Sequence, residues 1–212
     1  LFNSTINGIE DADFIFLIGS NPRYEATILN ARIRKAYLQN KTKIISLNNV
    51  GDLTYPYEYL DGNTENIRKI IEDNHEVSSL IKSANKPIII FGQSSLKNKF
   101  SKYIFESMKH FLKKNDKISD EWNSLNIISE NAATVGSFDL GLYKTEDGSN
   151  EVLNDLKEHK FEIVYLLGVD NLKFEKKNEF IIYQGSHGDK GAEMADIILP
   201  GAAYTEQNGY FT

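Results

Sequence analysis

The segment "QGSHGDKGAE", from Gln184 to Glu193, places a histidine, two acids, a lysine and three glycines within ten residues. His187 and Asp189 could act as a general acid and base, because the pKa of an imidazole lies near neutrality. The three glycines support the alternative of a turn with unusual backbone dihedral angles. No serine nucleophile elbow accompanies the pair, so the residue types favour the turn over catalysis.

Glycines that follow apolar runs indicate a second kind of chemistry. Gly19 ends the run in "LIGSNP", and Gly92 ends the run in "FGQSSL". A glycine between a strand and a helix can present backbone N–H groups to an anion. Asn21 is the expected N-cap of the following helix, with Pro22 at its first position. A turn without a ligand is the alternative, and the absence of a G-x-G-x-x-G pattern favours it.

The remaining candidates are weaker. His75, His110 and His159 are far apart in sequence and lack the spacing of metal ligands, so we expect them at the surface. The basic run "RIRK" (32–35) is predicted to face outward from its helix, as a solvated surface or an interface.

Composition limits the possible functions. The chain has 212 residues, a net charge of −6 and no cysteine. The acidic balance argues against nucleic acid as a partner, and the lack of cysteine excludes thiolate metal sites and disulfides within the chain. No apolar run approaches the roughly 20 residues that a membrane-spanning helix needs, and no signal peptide is visible. The missing initiator methionine leads us to expect an internal piece of a longer protein.

Short apolar runs alternate with amphipathic segments along the chain. The continuous apolar character of the runs predicts strands that are buried on both faces of a parallel sheet. The pattern therefore predicts a doubly wound α/β fold with mostly parallel sheets. Strands are expected at 13–19, 43–47, 87–92, 126–129, 163–168, 180–185 and 197–201, and helices at 22–38, 64–72, 97–113 and 151–158.

The long polar connection at 48–63 places a predicted domain boundary near residue 80. The two expected units are 1–80 and 81–212, each a partial Rossmann-like unit. "DADFIFLIGSNP" and "KFEIVYLLGVDN" echo one another, since each reads as a strand, a glycine and a helix start.

Four segments together carry a family resemblance. They are "ADFIFLIGSNPRYEATILNARIRKAYL", "KPIIIFGQSSL", "IVYLLGVDN" and "YQGSHGDKGAEMADIILPGAAYTEQNGYFT". In this order they resemble the large iron–sulfur subunit family of respiratory complex I, in its C-terminal region, which is similar to molybdopterin oxidoreductases. The resemblance covers nearly the whole chain, and the final thirty residues are its most specific part.

The resemblance implies a Rossmann-like fold of the formate dehydrogenase and DMSO reductase type. In the molybdopterin enzymes, loops like those here help to hold a pterin guanine dinucleotide. The matching positions form a vestigial crevice in this chain: Gly19, Asn21, Pro22, Gly168, Asn171, Gly185 and His187. The sequence departs from those enzymes at Asn48, where an acid is common, and at "VDN", where Asn-Pro is usual.

The resemblance further implies that the fragment binds no cofactor or metal and catalyses nothing alone. Its parent would carry 4Fe-4S and 2Fe-2S clusters in an N-terminal region and take part in electron transfer from NADH to quinone, coupled to proton pumping. Implied partners are other peripheral-arm subunits, without nucleic acid or direct membrane insertion. The implied location is the cytoplasmic face of the bacterial inner membrane or the matrix side of the mitochondrial inner membrane.

Two alternatives stay open at this point. One is a working oxidoreductase domain that binds molybdopterin guanine dinucleotide, as in formate dehydrogenase. The other is an unrelated enzyme that binds NAD or another nucleotide, although the glycine fingerprint for such a site is missing.

Overall fold

The computed structural model describes residues 2–209, except 98, 130, 132, 143–145, 171, 173 and 189, and only the backbone of 146–150. The chain forms two compact units, unit 1 at residues 1–132 and unit 2 at residues 133–212. The boundary expected near residue 80 therefore differs from the observed division. The reason is that the strand beginning at Pro87 pairs with the first strand of the chain, which joins both sides of that boundary in one sheet.

Unit 1 is built on a five-stranded parallel sheet in the order β3-β2-β1-β4-β5. Its strands are β1 (Phe14–Ile18), β2 (Lys43–Ser46), β3 (Glu58–Tyr59), β4 (Pro87–Gly92) and β5 (Leu125–Ile128). Every residue of β1 and β4 is buried, as the continuous apolar runs predict. Strand β3 was not predicted, because it has two exposed residues and no apolar run.

Six α-helices connect these strands, and a 3₁₀ turn at Asn7–Asp11 precedes them. They are α1 (Pro22–Glu25), α2 (Thr27–Asn40), α3 (Thr64–Ile71), α4 (Glu76–Ser83), α5 (Gln93–Leu96) and α6 (Ser101–Lys114). The single helix expected at 22–38 is divided, because Ala26 adopts a φ of −153° and ends α1. Phe100, which immediately precedes α6, is exposed.

The core of unit 1 lies on both faces of its sheet. Alternate residues of β1 point to opposite faces, as the two-residue period of a strand requires. Phe14, Phe16 and Ile18 pack with apolar residues of α3, α4 and α6. Ile15 and Leu17 pack on the other face with Leu29 and Ile33 of α2. Helices on both faces confirm the doubly wound arrangement.

The strand order reverses between β1 and β4. The chain leaves β1 toward β2 and later returns to β4 on the other side of β1. In open parallel sheets such a reversal opens a crevice beyond the carboxyl ends of the two strands, and ligands bind there. The loops that follow Ile18 and Phe91 line this crevice in unit 1.

Unit 2 contains a three-stranded parallel sheet in the order β6-β7-β8. Its strands are β6 (Ile163–Leu167), β7 (Phe180–Gly185) and β8 (Ile197–Pro200), and its helices are α7 (Thr134–Asp139), α8 (Glu146–Lys157) and α9 (Lys190–Met194). The core of this sheet consists of Leu166, Ile181 and Tyr183, which pack against residues of α9 and of the β6–β7 connection. The two parallel sheets confirm the predicted fold class.

Candidate functional site

The predicted site residues fall into one group in each unit. Gly19, Asn21 and Pro22 follow β1 in unit 1. Gly168 follows β6 in unit 2, and Gly185 and His187 lie at the carboxyl end of β7. Asn171 and Asp189 are outside the described residues. Each group therefore lies at the carboxyl end of a parallel sheet, where the fold places ligands.

Gly19 is required by close packing of two loops. Its φ of +58° lies in the left-handed region that side chains disfavour. A Cβ at this position would lie 2.6 Å from the Cβ of Ser95 and 2.9 Å from its backbone nitrogen. The hydroxyl of Ser94 donates to the carbonyl oxygen of Gly19, which ties α5 to the β1–α1 loop. The space that this glycine opens is therefore taken by the protein itself.

Gly92 makes the reciprocal contact. A Cβ on Gly92 would lie 2.1 Å from the carbonyl oxygen of Gly19 and 2.7 Å from the Cα of Ser20. In nucleotide-binding folds, glycines at this edge let the backbone approach a pyrophosphate. Here the two glycines let one backbone approach the other.

A carboxylate of this chain lies at the start of α1. Glu25 Oε1 accepts a hydrogen bond from the backbone N–H of Asn21 at 3.0 Å, and Oε2 accepts one from the hydroxyl of Ser20 at 2.9 Å. Backbone N–H groups at a helix start are the donors that a bound phosphate would use. Glu25 thus supplies a negative charge at the position where an external anion would bind.

Asn21 does not cap α1 with its side chain, contrary to the expectation from the sequence. Its Nδ2 group instead donates to the carbonyl oxygen of Val50 at 2.9 Å, while Pro22 occupies the start of the helix as expected. Arg23 adds a second tie to the same loop, since it donates to the carboxylate of Asp52 at 2.6 Å. The backbone N–H of Thr54, followed by the guanidinium of Arg23, lowers the pKa of Asp52. These contacts join the start of α1 to the loop after β2.

Asn48 fills the next part of the crevice. Its side chain lies against Gly62, where an added Cβ would meet Oδ1 of Asn48 at 1.3 Å. The cavity that remains is about 170 Å³ in volume. Its lining comprises Ile18, Leu47, Asn48, Gly62, Asn63, Thr64, Ile67, Ser94, Ser95 and Ile104. Pockets for drug-sized ligands occupy about 300 to 1,000 Å³, so this cavity is small by comparison.

The loop after β6 resembles the loop after β1 in backbone but not in surroundings. Gly168 has a φ of +62°, close to that of Gly19. A Cβ on Gly168, however, would meet no atom of the described residues within 4 Å. The sequence echo between the two strand–glycine motifs therefore corresponds to a shared backbone conformation without shared packing.

Tyr183 explains two of the three glycines of the "QGSHGDKGAE" loop, Gly185 and Gly191. A Cβ on Gly185 would lie 2.1 Å from the hydroxyl of Tyr183, and one on Gly191 would lie 2.7 Å from its ring. The hydroxyl lies 2.8 Å from Oδ1 of Asp170 and 2.9 Å from the carbonyl oxygen of His187, and its single proton can be donated to either. The loop therefore packs around the buried side chain of Tyr183.

The side chain of His187 is exposed. Its Nδ1 lies 2.8 Å from the hydroxyl of the adjacent Ser186. Among the described residues, no group of three histidine, aspartate or glutamate side chains is arranged to hold a metal ion. A cavity of about 420 Å³ in unit 2 is lined by Leu172, Phe174, Glu175, Lys190 and Met194, and it includes none of the predicted site residues.

His159 departs from its expected surface position. Its Nδ1 lies 2.5 Å from Oε1 of Glu179, whose side chain is buried. The backbone N–H of Lys177 donates to Oε2 of Glu179 at 2.7 Å. This hydrogen bond, one to the backbone N–H of Glu179 and the contact with His159 lower the pKa of Glu179 to about 2. The pair lies 20 residues apart in sequence, so no local spacing could have indicated it.

Sequence reasoning also missed Glu25 and Tyr183, and it marked Asn48 only as a departure from the molybdopterin enzymes. Each acts through a neighbour that lies four or more residues away or on another segment, and each belongs to a common surface or core residue type. The four-residue separation of Asn21 and Glu25 was visible in the sequence. It differs from the three-residue separation of a capping box, so it did not predict the contact between the two residues.

Comparison with known proteins agrees with the resemblance. The family model described as molybdopterin oxidoreductase matches residues 1–212. The chain is 39% identical over 214 residues to the mitochondrial NADH-ubiquinone oxidoreductase 78 kDa subunit of Candida albicans, covering 100% of this chain and 28% of that protein. It is 39% identical over 210 residues to the NADH-ubiquinone oxidoreductase 75 kDa subunit of Reclinomonas americana, covering 99% of this chain and 30% of that protein.

A plant relative gives the same result. The chain is 34% identical over 213 residues to the mitochondrial NADH dehydrogenase [ubiquinone] iron-sulfur protein 1 of Solanum tuberosum, covering 100% of this chain and 28% of the relative. The chain thus spans less than a third of the length of these curated relatives. Among the described helices, none has the length and apolar character needed to cross a bilayer. Because the family model matches along its full length, the chain belongs to the molybdopterin oxidoreductase family.

Proposed function

We propose that this chain is part of the large iron–sulfur subunit of a proton-translocating NADH:quinone oxidoreductase. Its relatives over the whole chain are subunits named for NADH-ubiquinone oxidoreductase. In this proposal the region is a structural scaffold in the peripheral arm, and the parent protein takes part in electron transfer from NADH to quinone.

The carboxylate of Glu25 at the start of α1 carries the scaffold proposal. A pterin guanine dinucleotide brings a pyrophosphate, which needs free backbone donors and a positive helix end. In unit 1 the N–H of Asn21 already donates to Glu25, and a second anion would be repelled by that charge. Ser95 and Asn48 occupy the space beside Gly19 and Gly62. The residues of this crevice do not fit the dinucleotide, so we derive no chemical step through it.

The absence of cysteine supports the placement of any iron–sulfur clusters elsewhere in the parent protein. We propose that they are 4Fe-4S and 2Fe-2S clusters held N-terminal to this region. The partners in the proposal are neighbouring peripheral-arm subunits, which contact the scaffold on the cytoplasmic face of a bacterial membrane or the matrix side of a mitochondrial one.

Metal and pterin analysis of the purified full-length protein tests the proposal. We expect several equivalents of iron, no stoichiometric molybdenum or tungsten, and no fluorescence from oxidised pterin after acid extraction. A formate dehydrogenase that carries the dinucleotide, processed in parallel, controls for loss of the cofactor during extraction. Stoichiometric molybdenum or tungsten would contradict the scaffold and favour a working molybdopterin enzyme.

Calorimetric titration of the full-length protein with guanosine diphosphate tests the crevice separately. We expect no heat of binding beyond dilution, because Glu25 competes for the same donors. Micromolar binding that Gly19→Ala abolishes would show that the crevice is a nucleotide site after all.

A further inference from the structure

Helix α2 carries apolar side chains on the face opposite the core as well as on the core face. Leu29, Ile33 and Ala36 are buried against the sheet of unit 1. Ile28 and Leu38 point away from it and are 71% and 56% exposed. A helix that is apolar on two opposite faces is expected to be covered on both.

Outward residues of α2, three of them apolar and one a lysine, form a line, which we call the outer seam. It consists of Ile28, Ala31, Lys35 and Leu38, all exposed, at successive spacings of three, four and three residues. At about 1.5 Å per residue the seam is about 15 Å long. Spacings of three and four are those by which one helix packs along another. Tyr24 of α1, also exposed, precedes the seam in the chain.

Helix α3 of the same unit shows what a solvated face looks like. Its outward residues include Glu65, Arg68, Lys69 and Glu72, which pair with one another at spacings of three and four. Such pairs neutralise one another in water and need no partner. The outer seam of α2 has apolar residues where α3 has these pairs.

Positive charge surrounds the outer seam. Arg32 and Lys35 both contact the carboxylate of Glu10, with Lys35 Nζ 2.6 Å from it. Arg34 is exposed and forms no ion pair with any residue that the structure describes. These three cations outnumber the one carboxylate, Glu10, that two of them contact, on a chain whose net charge is −6. This local excess of positive charge is opposite in sign to the protein as a whole.

We propose that the outer seam of α2 is the docking site for an acidic amphipathic helix of another protein. The apolar seam accommodates the apolar stripe of such a helix, as in helix-in-groove recognition. The surrounding cations complement acidic residues that flank the stripe and disfavour basic partners. This assignment does not depend on the scaffold role proposed above.

Two other occupants fit less well. A second copy of the chain related by two-fold symmetry would bring the same cations against one another across the seam. An anionic membrane is typically bound by clusters of four to eight lysines and arginines. Helix α2 has three such residues, fewer than a cluster of that kind contains.

Site-specific photo-crosslinking in the native assembly tests the proposal. The full-length protein carries p-benzoylphenylalanine in place of Ile28, and a matched variant carries it in place of Lys69 on α3. After irradiation of the purified assembly, crosslinked peptides are sequenced by mass spectrometry. We expect the Ile28 variant, but not the Lys69 variant, to capture one peptide of a different protein. That peptide should have apolar residues at spacings of three and four with acidic residues beside them.

Other crosslinking outcomes overturn the proposal. Capture of a segment of the same polypeptide or of a second copy would make the seam an internal or self-association contact. Capture of lipid alone would make it a membrane contact. Absence of any crosslink at Ile28 would leave the seam solvated. Equal capture from the Lys69 position would show proximity without a docking site.

Titration with a synthetic copy of the captured peptide then tests the chemistry. Leu38→Asp removes an apolar anchor, and we expect affinity to fall roughly 30-fold or more. Arg34→Glu reverses one charge of the rim, and we expect a loss of about tenfold that shrinks at high salt. Lys69→Glu should change affinity less than about twofold. Leu38 and Arg34 are both exposed, so the unfolding midpoints of these two variants should match that of the unaltered protein. An unchanged affinity of Arg34→Glu for the peptide at low salt would contradict the proposed charge complementarity.

Discussion

The two parallel sheets of this protein were built from similar apolar strands but are covered differently. In unit 1, both faces of β1 and β4 are buried beneath helices. In unit 2, Leu166, Ile181 and Tyr183 on one face of β6 and β7 are buried, whereas Ile163, Tyr165 and Leu167 on the opposite face of β6 are exposed, as is all of β8. Parallel sheets normally have cover on both faces. An apolar run in a strand thus predicts a parallel sheet, but it does not determine which face this chain itself covers.

The same contrast holds for polar groups in the two units. The buried polar residues of unit 1 are serines, threonine and asparagines, all uncharged. Unit 2 contains Glu179, the one carboxylate that is buried among the described residues. A small core therefore holds a charge that depends on three hydrogen-bonding groups around it, and the stability of unit 2 should be more sensitive to pH than that of unit 1.

Leucine truncation in the first strand of each unit gives the largest expected difference. Leu17 in β1 is fully buried, whereas Leu167 at the end of β6 is 67% exposed. We expect Leu17→Ala to lower the free energy of unfolding by about 2 to 5 kcal/mol and Leu167→Ala by less than about 0.5 kcal/mol. Denaturant unfolding measures these changes. It is followed by the fluorescence of the single tryptophan, Trp122 of unit 1, and by far-UV circular dichroism.

Equal losses of unfolding free energy from the two leucine substitutions would contradict the difference between the sheets, since they would mean that β6 is covered in solution. The same pair of substitutions in the full-length protein sharpens it. If Leu167→Ala lowers the free energy of unfolding only in the full-length protein, another segment of that protein covers this face.

Alanine at the two strand-end glycines should give the next largest difference. Both glycines have positive φ, which costs an alanine about 1 to 2 kcal/mol. At Gly19 the new methyl group also meets Ser95, which adds about 1 to 3 kcal/mol of overpacking. We therefore expect Gly19→Ala to cost more than Gly168→Ala by that additional amount. Thermal unfolding of both variants measures it, and equal losses would mean that the two loops do not pack as described.

Removal of the Tyr183 hydroxyl should have a smaller effect, confined to unit 2. Tyr183→Phe loses the bond to Asp170 or to the carbonyl of His187, worth about 1 kcal/mol. We expect faster hydrogen exchange of the amides at 185–188, with exchange in β1 unchanged. His187→Ala, a matched control on the exposed side of the same loop, should be neutral within about 0.5 kcal/mol. A larger effect at His187 would indicate a role that the loop packing does not explain.

As the pH falls, unit 2 should lose stability before unit 1. Near neutral pH this difference should be smaller than those of the substitutions above. The folded-state pKa of Glu179 is about 2, below its ordinary value of 4.5. Ionisation of Glu179 therefore contributes stability that is complete above about pH 4.5 and is lost as the pH falls toward 2. Hydrogen exchange should show β7 opening in this range while the amides around Trp122 stay protected. Glu179→Gln should be less stable at pH 7 and should flatten this pH dependence. Opening of β1 at the same pH as β7 would contradict the comparison.

Much of the fold could be predicted because it depends on local pattern. All seven expected strands are present within two residues of their predicted bounds. Strand β3 was missed because its pairing with β2, and not its own composition, makes it a strand. The division near residue 80 differed from the observed units because a polar connection marks a long loop, while strand pairing across that loop determines which segments form one sheet.

The candidate site shows the limits of sequence reasoning more clearly. The sequence alone determined that glycines end the strands, that the loops lie at the carboxyl edge of parallel sheets, and that the chain resembles a known family. These follow from residue types and short spacings. Only the tertiary structure decided that Glu25, Ser95 and Asn48 fill the first crevice, that Tyr183 shapes the second loop, and that α2 is apolar on its outer face. The physical reason is that the vacant space beside a glycine has no local signature, because the atoms that fill it come from segments distant in sequence.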